Sequence, residues 1–381
     1  MRVALNLVYL VPAETGGMEV YARELLPRLA ALGDVEPVAI VNRVAARDEA
    51  APWSDGRVRA IVADVDARDR RQWVWGEQRH VPRIASEIGA DLVHSLASTG
   101  PSRVAGGPPR VTTVHDLHYA VAPEAHFGLR GVGMRVLVPA AVRASRRVIA
   151  DSASTRDDVV AHIGIPAERI DVVHLATTLP AETGPGAVVP TAEAELRRRL
   201  RLGGAPVLLS LAAKRPHKNV EGLIEALAAI PPERRPRLVV PGYATEHEAV
   251  LRRRAVAHNV EDAIRFPGWL SRADVEGLWR IAAAHVFPSL YEGFGLPALE
   301  AMARGVPSAC SDRASLPEIV GDAALLFDPA DPAAIRGAIE RLLGDAPLRA
   351  ELVRRGRDRA AGFSWERVAA QTAESYRRAL A

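Results

Sequence analysis

The sequence predicts an α/β protein built from two doubly wound, parallel-sheet domains, and three observations carry that expectation. Short β-branched runs alternate with amphipathic stretches along the chain, the pattern of parallel strands joined by right-handed helical crossovers. A stretch rich in Pro, Gly and Thr interrupts the alternation once, after which it restarts. The length of 381 residues also exceeds the roughly 250–300 at which a single core stops growing.

In the first half the strand candidates are 3–10, 35–42, 58–63, 91–96, 110–117, 146–152 and 170–175. Unbroken apolar runs such as LVYL suit strands covered on both faces. Residues 179–194 have no periodicity and begin the join between domains, set at 179–203. Strand candidates resume at 207–212, 237–242, 264–269, 285–289, 307–310 and 324–328, with helices over 219–230, 246–258, 273–284 and from about Pro297. This gives domains at 1–178 and 204–363, followed by an amphipathic helix over 364–381. Two sheets of one class about a flexible join imply a cleft, and ligands of open α/β sheets bind beyond the carboxyl ends of strands.

Composition narrows the function classes. Hydrophobic residues make up 48% and charged residues 25%, as in an ordinary globular protein and unlike a disordered chain. No apolar run reaches the ~18 residues that span a bilayer, and MRVALNLVYLVPAE has no cationic signal-peptide start. A single cysteine, Cys310, permits no internal disulfide. These features predict a cytoplasmic location. The net charge is only +3, and the arginine triplets 197–199 and 252–254 lie among Glu and Ala without aromatics. They read as solvated helix faces, so nucleic acid is not an expected partner. Of 49 basic residues only Lys214 and Lys218 are lysines, and they fall within five positions. A site that keeps lysine against such a bias suits phosphate held by a compact ammonium.

The candidate sites fall at strand ends. Gly16 and Gly17 lie between the first strand and a helix, where backbone amides can approach an anion. No G-x-G-x-x-G follows a strand, which argues against a nicotinamide enzyme. In VHDLHY, His115 and His118 would point to opposite faces of an extended chain, so substrate or structural hydrogen bonding suits His115 better than metal ligation. Asp64 and Asp66 resemble a D-x-D element but read as surface acids. Lys214, Arg215, His217 and Lys218 bring cations to a helix start, a setting for a diphosphate. In YEGFGLPALE, Glu292 lies in a loop with Gly293, Phe294, Gly295 and Leu296, Pro297 opens a helix, and Glu300 falls in its first turn. A carboxylate there can accept hydrogen bonds from vicinal hydroxyls, and the amides of Phe294, Gly295 and Leu296 suit phosphate oxygens.

With these motifs in place, the chain resembles glycosyltransferase family 4, retaining nucleotide-sugar enzymes of the GT-B architecture. The resemblance runs through GGMEVYARELL, VHDLHY followed by Pro123, IADSASTRDDV, PHKN, FPGWLSRADVEGLW and the E-x7-E element EGFGLPALE. It implies paired Rossmann-like domains with a nucleotide-sugar donor held mainly by the second and a hydroxyl acceptor (saccharide, lipid-linked or small molecule) by the first. It further implies no cofactor and no metal, and a last helix that crosses back to the first domain. In this resemblance Glu292 contacts donor-sugar hydroxyls, Glu300 holds the ribose, Lys218 and the turn at Gly17 meet the diphosphate, and His115 lies near the transferred sugar. The turn at Pro267, Gly268 and Trp269 suits base recognition. Many members carry Gly-Arg after the strand where this chain has Ala212 and Ala213, which leaves Lys214 or Arg215 as the second diphosphate cation. The expected activity is metal-independent transfer of a hexose from a UDP- or GDP-sugar. The rival readings are a nucleotide-sugar epimerase or phosphorylase of the same architecture, or a sugar-nucleotide binding protein at the inner membrane surface. The last is motivated by the arginine-rich apolar segment 130–147, which also reads as a packed helix.

Overall fold

The computed structural model describes residues 1–102, 107–121, 129–179 and 187–381. The chain divides into two compact units, Met1–Leu175 with Ser364–Ala381, and Ala176–Phe363.

The first unit is a seven-stranded parallel sheet of β1 (Arg2–Leu7), β2 (Glu36–Val41), β3 (Arg59–Val62), β4 (Leu92–Ser95), β5 (Arg110–Val114), β6 (Arg147–Ala150) and β7 (Ile170–Val172), in the order β3-β2-β1-β4-β5-β6-β7. Central β1 sets Val3 opposite both Pro37 and Leu92. Helices cover both faces, which is why an unbroken apolar run serves as a strand: Val3, Ala4, Leu5 and Leu7 are all fully buried. The strand order reverses between β1 and β4, and the loops after these strands form the switch point where such folds place ligands.

The second unit repeats the plan with six strands, β8 (Val207–Leu209), β9 (Arg237–Val239), β10 (Ile264–Arg265), β11 (Ala282–Phe287), β12 (Ser308–Ser311) and β13 (Leu325–Phe327), in the order β10-β9-β8-β11-β12-β13. All its pairs are parallel, and the reversal lies between β8 and β11. β11 starts at Ala282, three residues before the position read from the sequence, because the preceding helix stops at Ile281. The Ala282–Ala284 run, which reads as helix, takes a place between β8 and β12 in the sheet.

The stretch read as a join, 179–203, needs correction at its end. Residues 180–186 lie outside the described ones, but Glu193–Arg199 is a helix of the second unit. Leu196, Leu200 and Leu202 pack with Leu278 and Trp279. Glu193 and Glu195 in its first turn and Arg197, Arg198 and Arg199 in its last complement the helix dipole.

The C-terminal helix, Trp365–Leu380, belongs to the first unit. Trp365, Val368, Ala369, Thr372, Tyr376 and Ala379 form its buried stripe. Trp365 meets Tyr21 of the first helix, Gly17–Ala31, with ring centroids 6.2 Å apart. The Tyr376 hydroxyl lies 2.8 Å from His94 Nδ1, and His94 Nε2 lies 2.8 Å from Thr113 Oγ1. Burial drags His94 down to about 3, so it is a neutral ring spanning two hydroxyls. The helix Leu129–Ala144, which carries most of segment 130–147, buries Val138, Ala141 and Val142, while Val136 is exposed. Among the described residues no helix is long and apolar enough to cross a membrane.

Candidate active site

In the second unit, four strand-end loops meet at the carboxyl edge of the sheet. After β8 the chain passes Ala212 and Ala213 and makes a short 3-10 turn, Pro216–Lys218. Asn219, with φ 51°, ends that turn and caps the helix Val220–Ala228: its Oδ1 accepts from the Gly222 amide at 3.3 Å, and its Nδ2 donates to the Pro329 carbonyl at 2.8 Å. Asparagine tolerates this left-handed backbone better than most residues. The turn is thus held from below, and Lys218 projects from its end.

Lys218 Nζ lies 2.5 Å from Glu292 Oε1 and 5.5 Å above the Phe287 ring centroid. The sequence places them 74 residues apart, and the switch point joins them. The Leu290 amide donates to the His217 carbonyl at 2.8 Å, tying the loop after β11 to the loop after β8. The glycines near Glu292 have a geometric reason. Gly295 has φ 105°, and a Cβ there would sit 2.5 Å from Leu316 Cδ2. The buried Ser315 hydroxyl donates between the carbonyls of Glu292 and Phe294, at 2.9 and 2.8 Å. Glu300, half-buried in the helix Leu296–Ala303, has its carboxyl pushed up by burial and by Glu276, against an opposing pull from Arg304. Arg304 itself is held by Glu276 at 2.6 and 3.0 Å.

The third part of the edge is aromatic. Tyr243 and Trp269 stack at 4.6 Å with an interplanar angle of 26°, and they are 42% and 68% exposed. They stand on paired turns: the Gly242 amide donates to the Gly268 carbonyl at 2.9 Å, and both glycines have positive φ. A Cβ on Gly242 would be 2.9 Å from the Ala212 carbonyl, so the turn after β9 lies directly against the loop after β8. Trp269 was visible in the sequence and Tyr243 was overlooked. The overlooked signal was that β9 and β10 both run into Pro-Gly-aromatic, Pro241-Gly242-Tyr243 and Pro267-Gly268-Trp269.

Two residues expected in the site are engaged by the protein itself. Lys214, read as a diphosphate ligand, is fully buried. Its ammonium donates to the Gly242 carbonyl at 2.7 Å and pairs with Glu248 at 3.3 Å. Lys214 thereby braces the aromatic turn. Of the two residues offered as the second cation, Arg215 is the exposed one.

His115, which the sequence leaves open to substrate or structural hydrogen bonding, stands at the end of β5 with both ring nitrogens engaged. Nε2 donates to the Leu96 carbonyl at 2.7 Å, and Nδ1 lies 2.7 Å from Asp151 Oδ2. Burial would depress the ring's pKa, but Asp151 and the Leu96 carbonyl outweigh it and raise it. In this arrangement His115 joins the ends of β4, β5 and β6. Asp116 caps the amide of His118 at 3.0 Å; burial alone would raise its carboxyl, yet His118 holds it well below the usual carboxylate range. Asp64 ion-pairs with Arg43, and Asp66 accepts from the Arg68 amide.

Gly16 precedes the first helix with φ 67° and ψ −130°, a conformation only glycine adopts readily. A Cβ added to Gly16 or Gly17 would meet nothing within 4 Å, so the backbone faces open space at this helix start.

Two all-parallel α/β units with their reversals at matching places define the GT-B class of transferases, and comparison with known proteins agrees. The model described as "Glycosyltransferase Family 4" matches residues 15–178, and that described as "Glycosyl transferases group 1" matches residues 192–359. The chain is 34% identical over 272 residues to O-antigen chain mannosyltransferase B of Escherichia coli, covering 70% of each chain. It is 29% identical to the MMP alpha-(1->4)-mannosyltransferase of Mycolicibacterium hassiacum, over 100% of this chain and 99% of that one. The structure of Anabaena Alr3699/HepE in complex with UDP and glucose superposes with a TM-score of 0.75 at 18% identity, covering 99% of both chains. The chain belongs to glycosyltransferase family 4. It is an enzyme of the hexosyltransferase kind.

Proposed function

We propose that this enzyme moves a hexose, with mannose the foremost candidate, from a UDP- or GDP-sugar to a hydroxyl acceptor, with retention at the anomeric carbon and without a metal ion. The observation that carries the reading is the Lys218–Glu292 pair, a cation and a carboxylate held 2.5 Å apart at a switch point. In the transfer, the bond from C1 to the diphosphate breaks with its electron pair going to the phosphate oxygen. The acceptor oxygen bonds C1 on the same face, and its proton passes to the leaving phosphate. Charge therefore develops on the diphosphate, where the Lys218 ammonium and the Arg215 guanidinium stabilise it. Glu292, released from Lys218 as the phosphate arrives, accepts hydrogen bonds from sugar hydroxyls. Glu300 accepts from the ribose diol, and the Tyr243–Trp269 shelf offers a stacking surface for the base. The names of the relatives, both mannosyltransferases, support mannose.

The test is turnover of a panel of UDP-, GDP- and dTDP-hexoses with and without EDTA, with product configuration read by NMR. Retention and unchanged turnover in EDTA are expected. Inverted product or strict metal dependence would overturn the reading.

Glu300 adds a pH dependence. Its folded-state pKa lies above the ordinary value, so the ionised form that accepts from a diol is lost at a higher pH than for an exposed glutamate. The donor KM should rise as pH falls through that raised value, with kcat changing less. Glu300→Gln should raise KM about tenfold, ~1.4 kcal/mol of binding, and flatten the acid limb of the KM profile.

A further inference from the structure

The first unit carries a cavity of about 560 Å³ lined by Pro12, Arg43, Arg47, Asp48, Asp66 and Arg68, with Val44. It lies at the carboxyl edge of the sheet: Arg43 follows β2, Asp66 and Arg68 follow β3, and Pro12 belongs to the β1 loop that ends in Gly16 and Gly17. The volume falls in the ~300–1,000 Å³ range of small-ligand sites. None of the residues assigned above to the donor lines it.

The arrangement of charge is informative. Of the two acids, Asp48 is ion-paired with Arg23, which also serves Glu19, while Asp66 accepts from the Arg68 amide and keeps its charge. Arg43 pairs with Asp64 at 2.9 Å and Arg68 with Glu14 at 3.4 Å, but the side chains of both pairs are largely exposed. Exposed pairs contribute only ~0–1 kcal/mol and exchange readily for another anion. Arg47, also exposed, makes no ion pair or side-chain hydrogen bond among the described residues. Three guanidiniums therefore converge on a concave surface, one without a partner and two with weakly held ones. A planar guanidinium fork matches phosphate or carboxylate oxygens, and a neutral saccharide has no use for three of them.

We infer that this cavity is an anion subsite for the acceptor, and that the acceptor is a saccharide or polyol bearing a phosphate or carboxylate group bound by Arg43, Arg47 and Arg68. The assignment to the acceptor rests on the transferase reading, whereas anion binding does not. Calorimetric titration of the donor-free protein with mannose, mannose 6-phosphate and glucuronate tests it directly. Mannose 6-phosphate should bind at least ~10-fold more tightly than mannose, and glucuronate against mannose 6-phosphate tells a carboxylate site from a phosphate site. Arg47→Ala should weaken the anionic sugar about tenfold and the Arg43, Arg47, Arg68 triple alanine variant about a hundredfold, with Arg47→Lys intermediate. Tightness that falls with added salt agrees with an ionic site. Equal affinity for mannose and its phosphate, or anion binding unaffected in the triple variant, overturns the inference. Wild-type hydrolysis of the nucleotide-sugar panel, measured alongside, reports the transferase reading separately.

Discussion

Lys218→Ala and Glu292→Gln are each expected to lower transfer at least ~100-fold, equivalent to ~2.7 kcal/mol or more of transition-state stabilisation. The two losses differ in kind. In the proposed transfer Lys218 meets charge that appears as the glycosyl–phosphate bond breaks, so its removal should fall on kcat as well as on kcat/KM. In the same proposal Glu292 positions the sugar, and a neutral amide of the same shape keeps one acceptor oxygen while losing the charge. Their mutual contact lets structural and catalytic effects be separated. The side chains of Lys218 and Glu292 are only 16% and 11% exposed, so Lys218→Ala also leaves a mostly buried carboxylate without its ammonium, and the melting temperature should drop. Adding Glu292→Gln to Lys218→Ala removes that stranded charge and should restore part of the melting temperature, with transfer remaining at or below either single variant. Calorimetric melting with steady-state transfer across the four proteins checks this. Near-wild-type rates in both single variants would remove the pair from the chemistry.

How much of this was legible in the sequence depends on the range of the interaction. Each of the thirteen strands among the described residues overlaps a run read as a strand, because a sheet covered on both faces writes its burial into consecutive residues. Glycine requirements were legible too: Gly16 and Gly295 sit where the backbone takes positive φ. Direction was not. Lys214 and Lys218 lie four residues apart in one basic segment, yet one is sealed beneath the turn after β9 and the other faces Glu292. What separates them is the path of the 3-10 turn Pro216–Lys218 and the nearness of Gly242 to Ala212, contacts between residues far apart in sequence that leave no periodic trace. His115 is legible as a polar residue at a strand end, but its partners, Leu96 and Asp151, come from the ends of the strands on either side of its own. The anion cavity was invisible for the same reason: Arg43, Arg47 and Arg68 are ordinary surface arginines until β2 and β3 are laid side by side.

Lys214 provides the second large effect, this time on stability. Its ammonium satisfies the Gly242 carbonyl beneath the Tyr243–Trp269 shelf, and Glu248 keeps it charged against a burial that lowers its pKa. Lys214→Ala deletes a fully buried stem and strands the carbonyl. The cavity and the lost hydrogen bond together should cost ~3 kcal/mol, a fall of about 6–12 °C in the melting of a unit this size. Glu248 limits the damage because Arg252 also holds it, at 2.6 Å. Lys214→Met fills the volume and removes only the polar contacts, so it should recover roughly half of the loss. Below its melting temperature Lys214→Met should transfer within about threefold of wild type, because the proposed mechanism gives the sealed ammonium no part in holding the diphosphate. A folded Lys214→Met protein with a ~100-fold loss of transfer would return this lysine to the donor site and displace Arg215 as the second cation. The comparison with Arg215→Ala is direct: the exposed arginine should show the opposite pattern, an unchanged melting temperature and a transfer rate lowered by about tenfold.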